Sequence, residues 1–300
     1  MGGGDEYPNE NPPPYEANEA EPASLLVGEA SEDLPNRKLG TLSKVRGLFE
    51  SRDRSQQAPI APITPTAPIE DSESRRRFID TGSQSLTGQY YLYDSLSIHA
   101  SSGSININVL PQPANPKHPV PAQLIVDGQS GSININMAGY EIPERAYTVT
   151  INSESGSVRG SLVHGRQTSV VSRSGRIDLD FTLSGANSTA SSLNTKSESG
   201  GTDITVHNQH IFDSRAASSG PSIKQMSSTH TGGSGGLVLR YPREWEGTIQ
   251  GQTGSGGLRL HGADIDVVSR GPHSVYAKKG KGDSTLSFQT GSGSVDVYFE

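Results

Sequence analysis

The chain has 300 residues and a net charge of −7 at pH 7, from 25 Lys and Arg against 32 Asp and Glu. Residues 78–300 are nearly neutral, with 16 basic and 18 acidic residues, so we expect no nucleic-acid partner, because such binding depends on neutralising phosphates. There is no cysteine, which excludes disulfides and a thiol nucleophile, and no apolar run approaches the ~20 residues of a transmembrane helix.

Residues 1–80 are rich in Pro, Glu, Ser and Gly, and we predict that they form a disordered tail. Its first 36 residues hold nine acidic residues and no basic one. Its first ten, MGGGDEYPNE, do not resemble a signal peptide, so we expect a cytoplasmic protein. Prolines at every third position of 59–68 match the period of polyproline II and predict a semi-rigid spacer.

The tail contains one sharp linear motif, NPPPYE, at residues 11–16. Pro12, Pro13 and Tyr15 fit the PPxY pattern that WW domains bind, in which proline pre-sets an extended helix that docks on an aromatic groove. We therefore predict a WW-domain partner, for example a ubiquitin ligase that would use Lys38 and Lys44 as acceptors. The alternative is a chance match in a proline-rich segment.

Residues 38–50 form the most helix-like part of the tail. Apolar residues recur there at helical spacing with basic residues around them, which predicts a short basic amphipathic helix in weak contact with a membrane surface. Gly40 and Gly47 each cost such a helix about 1 kcal/mol. The alternative is an unstructured basic stretch.

The remainder of the chain is repetitive. The phrase SGSININ occurs at 102–108 and again at 130–136, and aligning on Ser-Gly recovers nine related units, at 96–109, 124–137, 147–162, 168–181, 193–206, 229–241, 248–262, 265–277 and 285–299. Each unit is an alternating strand, a small polar corner and a second alternating strand. Glycine at the corner permits the positive φ of a tight bend, at Gly103, Gly131, Gly156, Gly175, Gly256 and Gly293.

Units of about 23 residues lie in the range of stacked repeats. We therefore predict that residues 81–300 form a single all-β domain, a β-solenoid of about nine two-strand repeats. A β-sandwich is the alternative, but the same Ser-Gly corner returns with strands in phase, which favours the solenoid. Trp245, the only tryptophan, is predicted to be a packing anchor at a bend.

The recurring strand, Ser-Gly corner and Ile/Val/Leu-x-Ile/Val/Leu pattern resembles the adhesin-like β-strand-repeat domains of unknown function found in bacteria. The acidic PPPY-bearing tail, proline linker and repeat domain together resemble a fungal family of uncharacterised proteins. The resemblance covers about residues 85–300 and implies an architecture without agreed catalytic residues.

Catalytic signals are weak. Gly232–Gly236 fits GxSxG, but a strand follows where a nucleophile elbow needs a helix. His207 and His210 lack a carboxylate at metal-site spacing, and Asp178 and Asp180 alternate outward as solvated carboxylates do. We therefore predict no catalytic, cofactor or metal site.

The expected function is that of a non-enzymatic interaction or scaffold protein, in which the tail binds a WW domain and a solenoid face binds a second partner. An adhesin-like surface or cell-wall protein is the alternative, and a carbohydrate-active enzyme comes third.

Overall fold

The computed structural model describes residues 75–137, 142–184, 190–208 and 225–300. Within these residues all regular structure is β, in twenty strands, and no helix is long and apolar enough to cross a membrane. The strands form where apolar and polar residues alternate, because successive side chains of a strand point to opposite faces. The predicted tail up to residue 74 lies outside the described residues.

The strands make two sheets. Sheet A contains eleven: β1 (Arg76–Asp80), β3 (Ser95–Ala100), β5 (Ala122–Ser130), β7 (Tyr147–Ser155), β9 (Gln167–Ser174), β11 (Ser191–Ser199), β13 (Met226–Ser234), β15 (Gly247–Ser255), β17 (Ile265–Arg270), β18 (Ser274–Lys279) and β19 (Ser284–Ser292). Sheet B contains nine: β2 (Leu86–Leu92), β4 (Ile105–Pro111), β6 (Ile133–Asn136), β8 (Val158–His164), β10 (Ile177–Leu183), β12 (Thr202–His207), β14 (Leu237–Tyr241), β16 (Leu258–His261) and β20 (Val295–Phe299).

The chain alternates between the sheets, so each strand of sheet A and the next strand of sheet B form one rung of a solenoid. Rungs 1 to 8 are the pairs from β1–β2 to β15–β16, and rung 9 is β19–β20. Neighbouring rungs pair in parallel in both sheets, and the antiparallel pairings among the described strands are those of β18 with β15 and with β17. The predicted all-β solenoid is therefore confirmed, and the sandwich alternative is wrong.

At one edge of the solenoid, rungs 2 to 9 each turn from sheet A to sheet B at a glycine with positive φ. These glycines stack in a column in which φ lies between 104° and 134°, and a Cβ added to any of them would lie within 3.0 Å of backbone in a neighbouring rung. The column contains the six predicted glycines together with two more, Gly200 and Gly235. Glycine amides also connect the rungs, as when Gly175 N donates to Ser199 O at 2.9 Å.

The last rung in the chain is not the last in space. Strand β19 pairs in parallel with β13 on one side and β15 on the other, and β20 likewise lies between β14 and β16. The chain therefore leaves rung 7, forms rung 8 one position further along, and returns with rung 9 to fill the gap. Residues 280–283 cross the start of β15, where a Cβ on Gly282 would lie within 3.0 Å of Glu246 O.

Two sequence predictions differ from the structure. The unit proposed at 265–277 is not a rung, because β17 and β18 form an antiparallel hairpin that extends sheet A beyond β15. It lacks a Ser-Gly corner, so its chain reverses within one sheet. The first rung, β1–β2, begins at Arg76, inside the segment assigned to the tail, and Arg75 is buried and forms an ion pair with Asp94 at 2.9 Å.

Apolar side chains from both sheets meet between them and form one continuous core. Alternation is complete in strands such as β4, where Ile105, Ile107 and Val109 are buried and the asparagines between them are exposed. Burying each such aliphatic side chain contributes about 1.5–3 kcal/mol. Trp245 is completely buried, with its ring centroid 5.2 Å from that of Phe299, so its predicted packing role is confirmed.

At the edge opposite the glycine column, one arginine holds successive connectors together. Arg145 is buried and donates to the carbonyl oxygens of Tyr93, Gln112 and Val120, the first two at 2.7 and 2.8 Å. It also reaches Asp94, which Arg75 pairs from the other side. Burial opposes the charge of Asp94, but the hydrogen bonds from these arginines lower its pKa overall.

Two histidines lie inside the core. His164 hydrogen-bonds Thr168 Oγ1 at 2.9 Å, and burial lowers its pKa to about 4. His230 is held between Thr195 Oγ1 at 2.7 Å and the Tyr241 hydroxyl at 2.8 Å, and burial lowers its pKa to about 3. Both rings are therefore neutral in the folded protein at physiological pH.

The crowding in the glycine column predicts that adding one methyl group at a corner glycine destabilises the protein. Gly175→Ala forces a positive φ on alanine and presses Cβ against Gly156 O, so we expect it to lower the free energy of unfolding by about 2–4 kcal/mol. Gly257→Ala is the matched control, because a Cβ there meets nothing within 4 Å. Chemical denaturation of both variants tests this, and equal stability would contradict it.

The rung order predicts unequal effects of two deletions of similar length. Removing rung 9, residues 284–300, opens a gap between rungs 7 and 8 and leaves two unpaired edges in each sheet. Removing rung 1, residues 75–92, shortens the solenoid at one end. We expect the first deletion to abolish cooperative thermal unfolding and the second to lower Tm without abolishing it. Similar losses would show that rung 9 is not an internal rung.

The buried histidines predict acid sensitivity. The unfolded chain protonates histidine near pH 6.5 and the folded protein only near pH 4 and 3, so stability is fully present above pH 6.5 and falls as the pH drops below it. We expect a loss of about 3 kcal/mol per histidine by pH 4. Urea denaturation between pH 5 and 7 avoids most carboxylate titration. Over that range His164→Gln should reduce the dependence of the free energy of unfolding on pH, and an unchanged dependence would contradict the prediction.

Candidate functional site

The outer surface of sheet A presents three straight columns of side chains. Eight strands each contribute three outward residues that pair in register from β3 to β15, 24 positions in all. We call these 24 positions the neutral face. Its first column, read along the sheet from β3 to β15, is Ser95, Gln123, Thr148, Gln167, Ser192, Ser227, Thr285 and Thr248. The second column is Ser97, Ile125, Thr150, Ser169, Asn194, Thr229, Ser287 and Gln250, and the third is His99, Asp127, Asn152, Val171, Lys196, Thr231, Gln289 and Gln252.

Uncharged hydrogen-bonding groups dominate the neutral face. Nineteen of its 24 residues are Ser, Thr, Gln or Asn, and only Asp127 and Lys196 carry a full charge. Asp127 accepts a hydrogen bond from Asn152 at 2.7 Å, and Lys196 pairs with Glu198 at 3.2 Å. The face therefore offers a regular array of donors and acceptors with little net field, which suits neutral polar ligands better than ionic ones.

The outer surface of sheet B carries more charged side chains than the neutral face, and several of them are paired with one another. Arg176 lies 3.1 Å from Asp203, which Arg240 also contacts, and Arg259 lies 2.9 Å from Asp296. In these pairs the arginines are the more exposed partners and the aspartates are mostly buried, and each charge is satisfied by the other. The charges on this surface therefore already have counter-ions within the protein. They are less available than the side chains of the neutral face for binding a ligand.

A cleft of about 270 Å³ opens at the far end of the neutral face. It forms where the parallel strands β19 and β15 meet the antiparallel hairpin β18–β17, and a register shift between Val267 and Ser269 in β17 interrupts the regular pairing there. Its outward lining is Gln250, Gln252, Ser269, Ser274, Tyr276, Ser287 and Gln289, with Gly251, Val275 and Phe288 between them.

No lining residue of the cleft is charged. Gln250 pairs in register with Tyr276 on one side and Ser287 on the other, and Gln252 pairs with Ser274 and Gln289. The positions thus converge from three strands. Gly251 lies between the two glutamines, and the Phe288 ring packs against it from the core side, in the space that a side chain would need.

Sequence reasoning missed the cleft. Gln250, Gln252 and Gln289 are visible as outward residues of repeat strands, but β17 and β18 were assigned to a separate rung. Only the hairpin places Tyr276 beside Gln250. An aromatic residue at an outward position of a unit without a Ser-Gly corner was the available signal.

The predicted site residues fall into two groups. Pro12, Pro13 and Tyr15, and the predicted helix over 38–50, lie outside the described residues. The corner glycines lie in the column at the solenoid edge, where they shape backbone and present no side chain.

The weak catalytic signals have structural explanations. The GxSxG match is the end of β13 and the corner before β14, without a helix. Asp178 lies 3.6 Å from Arg176, and Asp180 lies 3.6 Å from the His207 ring, so neither carboxylate stands alone on the sheet B surface. His210 lies outside the described residues, and within the described ones no cluster of three His, Asp or Glu side chains could hold a metal ion.

Comparison with known proteins identifies the domain. The family model of Toastrack DUF4097 matches residues 85–298, from the residue before β2 to the penultimate residue of β20. Comparisons with curated proteins and with solved structures found no match. The matched span contains the glycine column, the neutral face and the cleft. The chain therefore belongs to the Toastrack DUF4097 family, a domain family of unknown function.

Proposed function

We propose that the protein is a non-enzymatic interaction protein with two binding elements. In the tail, Pro12, Pro13 and Tyr15 bind a WW domain, and the neutral face of the solenoid binds a second partner. The observation that supports the second element is the neutral face itself, with nineteen uncharged hydrogen-bonding side chains in register across eight strands. A rigid array of this kind is suited to recognition, because its side chains are held at fixed spacing by the sheet.

Several features make binding a better proposal than catalysis. A carbohydrate-active enzyme would need two carboxylates that face one ligand. Asp178 and Asp180 are instead paired with Arg176 and His207 on sheet B, away from the cleft. The cleft itself has neither a carboxylate nor a histidine in its lining.

The proposal keeps the cytoplasmic location predicted from the sequence, where WW-domain ubiquitin ligases are available as tail partners. An adhesin-like role remains the second candidate, and the uncharged cleft is the observation that favours it, because such a lining suits a neutral polar ligand.

The tail element predicts direct binding to purified WW domains. Against a panel of such domains, the full chain should bind at least one with a Kd of about 1–100 μM, as expected for a short extended motif. Tyr15→Ala should abolish this binding and leave the solenoid folded. A panel that binds neither protein, or both equally, would show that PPPY is a chance match.

The face element predicts that charge placed on sheet A, and not on sheet B, blocks the second partner. Thr150→Arg with Thr229→Arg adds bulk and charge to the neutral face, and Asn134→Arg with Thr205→Arg is the matched control on sheet B. Proteins cross-linked to the wild-type chain should be lost from the first variant and retained by the second. Loss from both or from neither would contradict the use of this face.

A further inference from the structure

The cleft at the end of the neutral face has a specific chemical character. Its seven outward side chains comprise three carboxamides, three hydroxyls and one phenol. Each carboxamide and hydroxyl can both donate and accept hydrogen bonds. A ligand that carries many groups of the same dual character, such as a chain of hydroxyl-bearing rings, could satisfy them all.

The hydrogen-bonding groups of these side chains are available to a ligand. Among the described residues, none of the seven side chains forms a hydrogen bond with another side chain or with backbone, whereas nearby outward residues do, as Thr285 donates to Ser227 at 3.2 Å. An apolar ligand would bury these amides without partners, which costs about 1–3 kcal/mol for each group. A charged ligand would find no counter-ion in the lining. Both classes are therefore disfavoured.

Tyr276 adds an apolar surface to this polar lining. Tyr276 is half-buried in β18 and pairs in register with Gln250, which places an aromatic ring beside the carboxamides. A flat apolar surface with convergent amides suits a sugar ring, which has apolar C–H faces and a polar rim. The volume of about 270 Å³ lies near the lower end for ligand sites, enough for a short segment and too small for a folded partner.

The cleft is also open toward the neutral face. Ser287 and Gln289 belong both to its lining and to the columns that continue across β13 to β3. A chain molecule held in the cleft can therefore extend along the hydroxyl and amide side chains of β19 and β13. The first charged side chain that it reaches on the neutral face is Lys196 in β11.

From these observations we propose that the cleft binds a neutral oligosaccharide, with Tyr276 against a sugar ring and Gln250, Gln252 and Gln289 bound to its hydroxyl groups. This inference rests on the proposed function, since it names the ligand class at one end of the neutral face.

Calorimetric titration of the full chain with cello-, laminari-, chito- and mannohexaose tests the inference. At least one of these should bind with a Kd of about 10 μM to 1 mM. Tyr276→Ala and, separately, Gln289→Ala should weaken that binding about tenfold or more. Thr205→Ala, on the outer surface of sheet B and outside both proposed binding elements, should bind as wild type, and an acidic oligogalacturonate should bind at least tenfold more weakly.

Failure of the inference can be told from failure of the proposed function. If no neutral hexasaccharide binds at concentrations up to about 10 mM, or if Tyr276→Ala and Gln289→Ala both bind as wild type while unfolding at the wild-type midpoint, the cleft is not an oligosaccharide site. Loss of a cross-linked protein partner in the Thr150→Arg, Thr229→Arg variant would then still support the neutral face. Sugar binding that survives those arginine substitutions would support the cleft alone.

Discussion

The structure depends on the close approach of backbone at the glycine column. In rungs 2 to 9 the chain turns from one sheet to the other in so little space that a Cβ on the corner glycine would clash with the backbone of a neighbouring rung. The amide-to-carbonyl hydrogen bonds along this column hold the two sheets in a common register. Because the register is common, buried residues of successive rungs stack into one core, and outward residues stack into columns.

The same uniformity explains why rung 9 can occupy an internal position. Every rung offers similar parallel edges, so a gap between rungs 7 and 8 accepts any rung with the correct corner and alternation. The β17–β18 hairpin makes this route short, since it carries the chain past rung 8 and returns it across the start of β15. The terminal segment of the chain thus becomes interior, and the hairpin extends the edge of sheet A instead.

Outward residues are where this fold is free to vary, because they carry no packing constraint. On sheet B the free positions hold charges that pair with one another, as Asp203 does with Arg176 and Arg240. On sheet A they hold hydroxyls and amides, many of which form no side-chain hydrogen bond with the residues that the structure describes. This hydrogen-bonding capacity, in register across many strands, is the physical basis for our proposal that sheet A is a recognition surface. The cleft adds depth to that surface only where the hairpin interrupts the parallel order.

The sequence by itself determined the repeat, the period-2 strands and the glycine corners. These are local properties: Ile105 and Ile107 face inward, and Gly103 turns the chain, whatever rung lies beside them. A parallel solenoid follows from them. Only the tertiary structure decided the order of the rungs, the antiparallel placement of β18, the burial of His230 beside Tyr241, and the convergence of Tyr276 with Gln250. The physical reason is that rungs built on one pattern are nearly interchangeable neighbours. Their order is therefore settled by connector lengths and long-range packing, which no local stretch of sequence encodes.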